Sequence, residues 1–490
     1  MNFKPLKTFF FDNVGVKQTV FKNTFWLTTA EIITRLLQII LVIYITRILG
    51  ATEYGKFSFA LSFVSMFVVL SDFGLSDITT RELAKDKKGE EEYSDILSFK
   101  IILSVATLFV MAVGSFLITP DLVIRKVIII LSFFVLISNF FSIIYAFLRA
   151  RQKMEYEAGA KIIQSLVTFF AVLYALFRFP SIENVSLGYL ISNLIVLVII
   201  LLIFYFYIQP IKLGFSIEKY KKFFKYSYSL GLASIFGSVF VNVDSVIMGY
   251  LGQNIENGWY GAAGRVINLT VIPSSLILMS FYPVLSKLFK ESKEKLQKVW
   301  DFYMESMIVL AVPITIGGFI LSSKIIDFVY GAGFSPAASA FQILIFTTGI
   351  GFIYSPYIMM LVVSDQQKRY LWINLIAALA NIVANIILIP LYSFYGASVA
   401  KIISTVIIFI LGIEYFRRFV SINVFNHNLV KILFISVMSS LIMFVAICLP
   451  IVYNLDIIIV IILGTIIYCV CLSGFYKFLF KLNHCKKAYE

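Results

Sequence analysis

The stretch TAEIITRLLQII (residues 29–40) decides the fold class, because it places charged side chains inside a long apolar run. That run extends over positions 23–49, enough to cross a bilayer as a helix of roughly 20 or more residues. On insertion scales, an ionised side chain such as Glu31 or Arg35 costs about 2.5–3.5 kcal/mol at the centre of such a helix. Their i, i+4 spacing with Glu first favours a helical ion pair. Because inserting these two charged side chains costs free energy, we expect them to have a function.

The composition predicts an integral membrane protein. The 490 residues are 60% hydrophobic and only 14% charged, with a mean hydropathy of +0.93. Apolar runs of helical length recur without alternating ten-residue strands, which excludes an outer-membrane barrel. We predict an all-α protein with about fourteen transmembrane helices. The expected spans lie near 24–48, 55–80, 96–118, 122–148, 157–178, 184–208, 226–250, 258–285, 299–321, 336–363, 371–390, 394–416, 429–450 and 455–478.

The net charge of +14 reflects orientation in the membrane. Most of the 41 Lys and Arg residues fall on the segments that share a face with the N-terminus. The positive-inside rule therefore predicts a cytoplasmic-membrane protein with both termini in the cytoplasm. The first 22 residues lack the features of a removable signal peptide, so the first span is expected to direct insertion.

Self-comparison indicates an internal repeat. Short motifs recur in the same order at offsets of roughly 200 residues, six spans apart. The pairs are LGATEYG (49–55) with LGQNIENGWYG (251–261), RQKMEY (151–156) with QQKRY (366–370), and SLGYLIS (186–192) with FYGASVA (394–400). An even number of spans relates the copies by a pseudo-two-fold axis along the membrane normal. We predict an N-lobe over 1–210, a C-lobe over 211–420, and two further helices with a cytoplasmic tail over 421–490.

Ionisable residues inside the other predicted spans have two interpretations. Asp72 and Asp77 lie in span two, Asp244 in span seven, Arg265 in span eight and Lys401 in span twelve. Intramembrane charges tend to face an interior or a water-filled path, which would give a polar central cavity used by a substrate. Alternatively, they pair with one another and pin helices together.

Span eleven carries three amides on one helical face. Asn374, Asn381 and Asn385 follow the spacing i, i+7, i+11. They could line the same cavity and hydrogen-bond sugar hydroxyls, or serve as interhelical hydrogen-bonding groups.

Enzyme chemistry is not indicated. The two histidines, His427 and His484, lie in a basic loop and the tail, with no carboxylate or cysteine arranged around them. The four cysteines fit neither a disulfide framework nor a zinc site. We therefore predict no catalytic residue, no metal ion and no cofactor, and the polar connections are too short to fold as soluble domains.

The chain resembles a known family, the polysaccharide repeat-unit flippases of the MOP superfamily. These are relatives of the MATE drug exporters and the lipid II flippases. The resemblance covers essentially the whole chain and rests on the order of several motifs. These are TRLLQIILVIYITRILGATEYGKFSFA (34–60), SDFGLSDITTREL (71–83), VDSVIMGYLG (243–252) and WYGAAGRVINL (259–269).

The resemblance implies two lobes that alternate access and carry a polyprenyl-diphosphate-linked oligosaccharide across the cytoplasmic membrane. Cationic cavity residues of such proteins attract the anionic head group, which assigns that role here to Arg35, Arg265 and Lys401, with Glu31 orienting Arg35. Asp72 and Asp244 become candidates for ion pairing or for coupling, as does Asp77. The implied partners are membrane lipid, the lipid-linked oligosaccharide and polysaccharide polymerase machinery. The implied driving forces are H⁺, Na⁺ or the membrane potential, and nucleic acid is not a partner.

Two alternatives stay open at the level of sequence. A MATE-like exporter of cationic drugs would have a cavity dominated by acidic groups such as Asp72 and Asp244. An oligosaccharide polymerase or ligase would usually carry a large outside loop with catalytic polar residues, whereas the outside connections of this chain are short.

Overall fold

The computed structural model describes residues 11, 13–76, 79–80, 89–207, 214–420, 422–423 and 427–486. We number its helices in chain order. They are α1 (Val16–Asp72), α2 (Gly89–Ile118), α3 (Leu122–Ala150), α4 (Met154–Arg178), α5 (Ile182–Tyr207), α6 (Ile217–Tyr250), α7 (Asn254–Thr270), α8 (Ile272–Glu291), α9 (Lys293–Tyr330), α10 (Ala337–Val363), α11 (Gln367–Phe419), α12 (His427–Cys448), α13 (Pro450–Tyr453) and α14 (Ile457–Lys486).

Fourteen membrane crossings follow from these helices. Within the described ranges, 12 helical segments are long and apolar enough to span a bilayer, and α7 and α8 together form one of them. The segments in α1 and α11 contain 55 and 53 residues, far more than the roughly 20 that one crossing needs. Each is interrupted, α1 at Gly50 and α11 at Ser393, so each supplies two spans. The predicted all-α membrane fold is confirmed.

The break in α1 depends on glycine. Gly50 has φ 74° and ψ 175°, a conformation that side chains with a Cβ rarely adopt. Gly252, its partner in the sequence repeat, also has φ 74°. Gln152, in RQKMEY, has φ 57°, and Asp365, directly before QQKRY, has φ 59°. Each of these two pairs of loops therefore contains a residue with a left-handed backbone conformation.

The break in α11 is a sharp reversal. Ser393 has φ 52° and ψ −133°, and a Cβ placed on Gly396 would lie 2.2 Å from the carbonyl oxygen of Leu388. The two legs therefore approach each other closely just after the turn. Gly188, the repeat partner of Gly396, likewise lies against the backbone of Ala171 and Val172 in the preceding helix.

The chain divides into two compact units, Met1–Gly258 and Trp259–Glu490. The first unit includes α6, which packs along α1. This boundary reflects packing, whereas the predicted division at 210, 420 and 490 follows the sequence repeat and stays a prediction.

In the first unit, α1 packs against α2 through α6. Polar contacts at one end fix its start to the α3–α4 turn, where the Lys22 ammonium pairs with Glu155 at 2.9 Å and Asn23 Nδ2 donates to Gln152 Oε1 at 2.7 Å. Lys22 is fully buried, so its pairing with Glu155 compensates the loss of hydration.

In the second unit, an aromatic cluster forms the core where α9, α10 and α11 meet. Trp300 stacks on Phe416 with ring centroids 4.7 Å apart, and Tyr357 contacts both rings edge-on. Large buried rings of this kind contribute much of the packing enthalpy of a helical core.

The close approach of α1 and the start of α7 gives a stability prediction. A Cβ on Gly55 would lie 1.7 Å from the carbonyl oxygen of Asn254, and Asn257 Nδ2 donates to the Gly55 carbonyl at 3.0 Å. We expect Gly55→Ala to force these segments apart and to destabilise the protein by about 1–3 kcal/mol, the usual cost of overpacking. The measurement is the melting temperature of purified protein in detergent.

Gly237→Ala is the matched control, because a Cβ at this helical position meets open space. It should leave the melting temperature unchanged or raise it, since alanine favours helix. Equal melting temperatures for Gly55→Ala and Gly237→Ala would contradict the close approach.

Candidate functional site

A polar pocket of about 290 Å³ lies inside the first unit, between the first leg of α1 and helices α3, α4 and α5. Hydroxyl, amide and charged side chains form much of its wall, and four aromatic rings complete it. The lining residues are Glu31, Thr34, Leu37, Gln38, Leu41, Phe134, Ser138, Tyr145, Lys161, Gln164, Ser165, Thr168, Phe169 and Tyr189. We call it the first-unit pocket. Such a concentration of polar groups within an apolar bundle indicates a site that accepts a polar ligand.

The ion pair expected at the centre of the first span is present. Arg35 Nε donates to Glu31 Oε1 at 2.6 Å, and the side chains of Arg35 and Glu31 remain 40% and 53% exposed. Glu31 lines the first-unit pocket, whereas Arg35 lies one turn further along α1. Because neither side chain is buried, a ligand can contact both without any change in the packing of the helices.

A second charged cluster lies on the side of the pocket that helix α4 forms. The Glu157 carboxylate is fully buried and accepts two hydrogen bonds from Arg149, both at 2.8 Å. It also pairs with the Lys161 ammonium at 2.8 Å. Lys161 in turn lies over the ring of Tyr145, 5.5 Å from its centroid. The one lysine that lines the pocket is therefore held by a carboxylate and a ring.

A chain of hydrogen bonds fixes the amide side of the pocket. Tyr145 Oη donates to Gln164 Oε1 at 3.2 Å, and Gln164 Nε2 donates to Asn193 Oδ1 at 3.1 Å. Asn193 Nδ2 donates to the Phe134 carbonyl at 3.0 Å and contacts the Ser138 hydroxyl. These bonds orient Gln164 before any ligand arrives, which is the preorganisation that a binding site needs.

The polar residues that α4 contributes to the pocket and its support were not predicted from the sequence, although their spacing marks them. Glu157, Lys161, Gln164 and Thr168 follow the spacing i, i+4, i+7, i+11, the same one-face pattern that singled out the asparagines of α11. Asn193 and Tyr145 carried no comparable signal, because their role depends on contacts between helices.

Asp72 belongs to a different cluster, which joins α1, α2 and α3. Its carboxylate pairs with the Lys100 ammonium and accepts from Ser76 Oγ at 2.6 Å. Lys100 is fully buried and also donates to Ser142 Oγ at 2.8 Å. This arrangement agrees with the structural alternative for Asp72, in which charges pin helices together. Asp77 lies outside the described residues.

The other predicted site residues do not line the first-unit pocket. Asp244 is buried on α6 in the first unit, and Arg265 and Lys401 belong to the second unit. Trp259 and Phe394, near the starts of α7 and the second leg of α11, are in edge-on contact with centroids 5.8 Å apart. Arg265 and Lys401 follow these two rings by six and seven residues, about 9 and 10.5 Å along their helices at 1.5 Å per residue.

The three asparagines of α11 differ in how deeply they are buried. Asn381 and Asn385 are fully buried in the second unit, and Asn385 Nδ2 donates to Asn381 Oδ1 at 3.1 Å. Asn374 is half-buried and donates to the Tyr370 carbonyl of its own helix at 3.0 Å. The Asn385–Asn381 bond joins two residues one turn apart on the same helix, so both alternatives, a cavity lining and interhelical hydrogen bonding, stay predictions.

Comparison with known proteins identifies the family. A family model described as polysaccharide biosynthesis protein matches residues 20–289, more than half of the chain. The chain belongs to the polysaccharide biosynthesis protein family. The matched region contains the whole first-unit pocket, and the family predicted from the motifs of the first span onward is confirmed.

Two relatives illustrate the family's range. The capsular polysaccharide biosynthesis protein CapF of Staphylococcus aureus is 22% identical over 81% of this chain and 99% of its own length. The probable low-salt glycan biosynthesis flippase Agl15 of Haloferax volcanii is 25% identical, but the match spans only 42% of this chain and 44% of that protein.

Among solved structures, the lipid II flippase MurJ in an inward closed conformation has a similar fold. The superposition has a TM-score of 0.76 and covers 92% of this chain and 99% of MurJ, at 16% sequence identity. The helical architecture expected for the MOP superfamily is therefore confirmed.

The Asp72–Lys100 pair gives a second prediction. Asp72→Asn removes the charge that compensates a fully buried ammonium, so we expect a loss of about 3 kcal/mol in stability. Lys100→Met added to this variant removes the uncompensated charge and should recover most of that loss. The measurement is a double-mutant cycle on melting temperature, and purely additive effects of the two substitutions would contradict the pairing.

Proposed function

We propose that this protein is a flippase that carries polyprenyl-diphosphate-linked oligosaccharide repeat units across the cytoplasmic membrane by alternating access. The observation that carries the proposal is the preorganised polar pocket, with Glu31 at its wall, inside an apolar unit of a chain from the polysaccharide biosynthesis protein family. A sugar diphosphate cannot enter hydrocarbon unless protein groups replace its hydration, and this pocket supplies such groups.

Arg35 is the proposed head-group ligand of the first unit. Its guanidinium stays charged and offers planar, paired donors that match a phosphate. The 2.6 Å bond from Arg35 Nε to Glu31 uses one of its donors and leaves the terminal nitrogens for a ligand. Glu31 orients the guanidinium and partly neutralises it when no substrate is bound.

The second unit would contribute Arg265 and Lys401 as two cations that act on one anionic group, since each follows the Trp259–Phe394 contact by about two helical turns. Asn374, Asn381 and Asn385 complete the set proposed from the sequence, although the burial of the last two favours a structural role. Asp244, Asp72 and Asp77 are proposed as ion-pair or coupling residues, with H⁺, Na⁺ or the membrane potential as the driving force.

The proposed setting is the cytoplasmic membrane, with both termini in the cytoplasm and polysaccharide polymerase machinery as the downstream partner. The charge distribution supports this orientation, because most Lys and Arg residues share the face of the N-terminus. No catalytic step is proposed for this chain.

A MATE-like exporter of cationic drugs is the second candidate, and the geometry of the acids disfavours it. Asp72 is engaged by Lys100, and Glu31 by Arg35, so two of the carboxylates that could attract a cationic drug already have cationic partners. Burial of Lys100 in the low-dielectric interior strengthens its pairing with Asp72.

The third prediction tests Arg35. Arg35→Ala should leave the protein inserted and folded but stop export, because a diphosphate head group loses its guanidinium ligand. Lipid-linked oligosaccharide should then accumulate in the inner leaflet. Arg35→Lys should recover only part of the activity, since a point charge replaces the planar fork. The measurement is transport of lipid-linked oligosaccharide in proteoliposomes.

Arg47→Ala is the matched control, because Arg47 lies on the same leg of α1 but 12 residues beyond Arg35, about 18 Å along the helix. Normal export by Arg35→Ala would refute the ligand role. Transport of ethidium-like cations that is lost in Asp244→Asn and retained in Arg35→Ala would favour the exporter instead.

The fourth prediction concerns orientation. In a background with the four natural cysteines replaced, a cysteine at position 254, the first residue of α7, should react with an impermeant thiol reagent from outside intact cells. A cysteine at position 292, between α8 and α9, should react only after the membrane is opened. Labelling of both in opened membranes is the control, and the reverse pattern in intact cells would overturn the orientation.

A further inference from the structure

We infer that the first-unit pocket binds a single sugar ring of the substrate, while the diphosphate lies outside it near Arg35. The inference deepens the proposed function and rests on it for the identity of the transported molecule. The pocket itself is defined by α1, α3, α4 and α5 of the first unit alone.

The volume of the pocket suits a small occupant. At about 290 Å³ it lies at the lower end of the roughly 300–1,000 Å³ that is typical of small-molecule sites, and it has room for one pyranose ring with its hydroxyl groups. Because the pocket is partly open, further sugar units of an oligosaccharide would extend out of it.

The amide side of the pocket matches sugar hydroxyls, which both donate and accept hydrogen bonds. Gln164 uses one N–H toward Asn193 and one oxygen lone pair toward Tyr145. An amide carries two N–H groups and two lone pairs, so one donor and one acceptor remain for a ligand. Ser165 adds a hydroxyl one residue along α4, and Thr168 adds another that is held by Ser192 at 3.0 Å.

Aromatic rings supply the faces against which a sugar ring packs. Tyr189 is held by Phe57 and Phe134, with centroid distances of 6.0 and 5.1 Å. Phe169 lines the pocket from α4. The negative face of an aromatic ring attracts the weakly positive C–H groups of a pyranose, and a ring fixed by neighbours loses little entropy on binding.

The charges of the pocket favour a sugar over a phosphate. The Glu31 carboxylate at the wall would repel an anion but accepts hydrogen bonds from hydroxyl groups. The one cation at the wall, Lys161, is already paired with Glu157. Arg35 is not a lining residue but is hydrogen-bonded to Glu31 at the wall, so a phosphate attached to the bound sugar would find its guanidinium next to the pocket.

The experiment uses the full-length protein in lipid nanodiscs and a panel of methyl glycosides, read by saturation-transfer NMR. The panel contains methyl glycosides of neutral hexoses, 6-deoxyhexoses, N-acetylhexosamines and hexuronic acids. We expect at least one glycoside to bind. Gln164→Leu should weaken that binding by about five- to tenfold, the effect of losing one or two hydrogen bonds in a desolvated site. Phe169→Leu should also weaken it while leaving the Tyr145–Gln164–Asn193 chain intact.

Gln342→Leu is the matched control, because it makes the same substitution on α10 of the second unit, and it should bind as the unaltered protein does. Absence of binding by every glycoside would overturn the inference. Binding that persists at full strength in Gln164→Leu and Phe169→Leu would also overturn it.

A transport assay with lipid-linked oligosaccharide in proteoliposomes separates this inference from the proposed function. Transport without any pocket-dependent glycoside binding keeps the flippase and removes the sugar pocket. Pocket-dependent glycoside binding without transport keeps the sugar pocket and removes the flippase.

Discussion

An ionised side chain within hydrocarbon requires a compensating partner, and this requirement organises the first unit. Lys22, Lys100 and Glu157 are fully buried, and each is paired with an opposite charge from another segment. Breaking any one of these pairs would leave a charge in a medium that solvates it poorly. The pairs therefore fix how α1, α2, α3 and α4 pack, and the pocket between these helices and α5 inherits its shape from them.

The charged side chains of the first unit fall into two groups by their exposed fraction. Buried pairs hold the helices together, and partly exposed side chains are available to a ligand. The buried pairs join different helices and leave little room for a substrate. Glu31 and Arg35 instead pair along one helix and keep about half of their surface open. Because Glu31 lines the first-unit pocket, this pair lies where a ligand in the pocket can reach it.

Local patterns in the sequence predicted much of this architecture, and contacts between helices account for what they missed. Apolar run lengths and the breaks near Gly50 and Ser393 specify fourteen crossings, because span length depends on bilayer thickness alone. The Glu31–Arg35 pair was predictable from its i, i+4 spacing. Lys100 was not found as the partner of Asp72, nor Asn193 as the support of Gln164, since nothing in a single sequence reports which helices become neighbours.

All residues that line the first-unit pocket fall between positions 31 and 189, within the first 258 residues that pack as one unit. A gene fusion that joins this unit to the second half of a relative would carry the complete pocket with it. Recombination could then diversify the ligand preference of the pocket, while the sequence of the second half evolves independently. All of its lining residues are also present in the nascent chain before the second half has been translated.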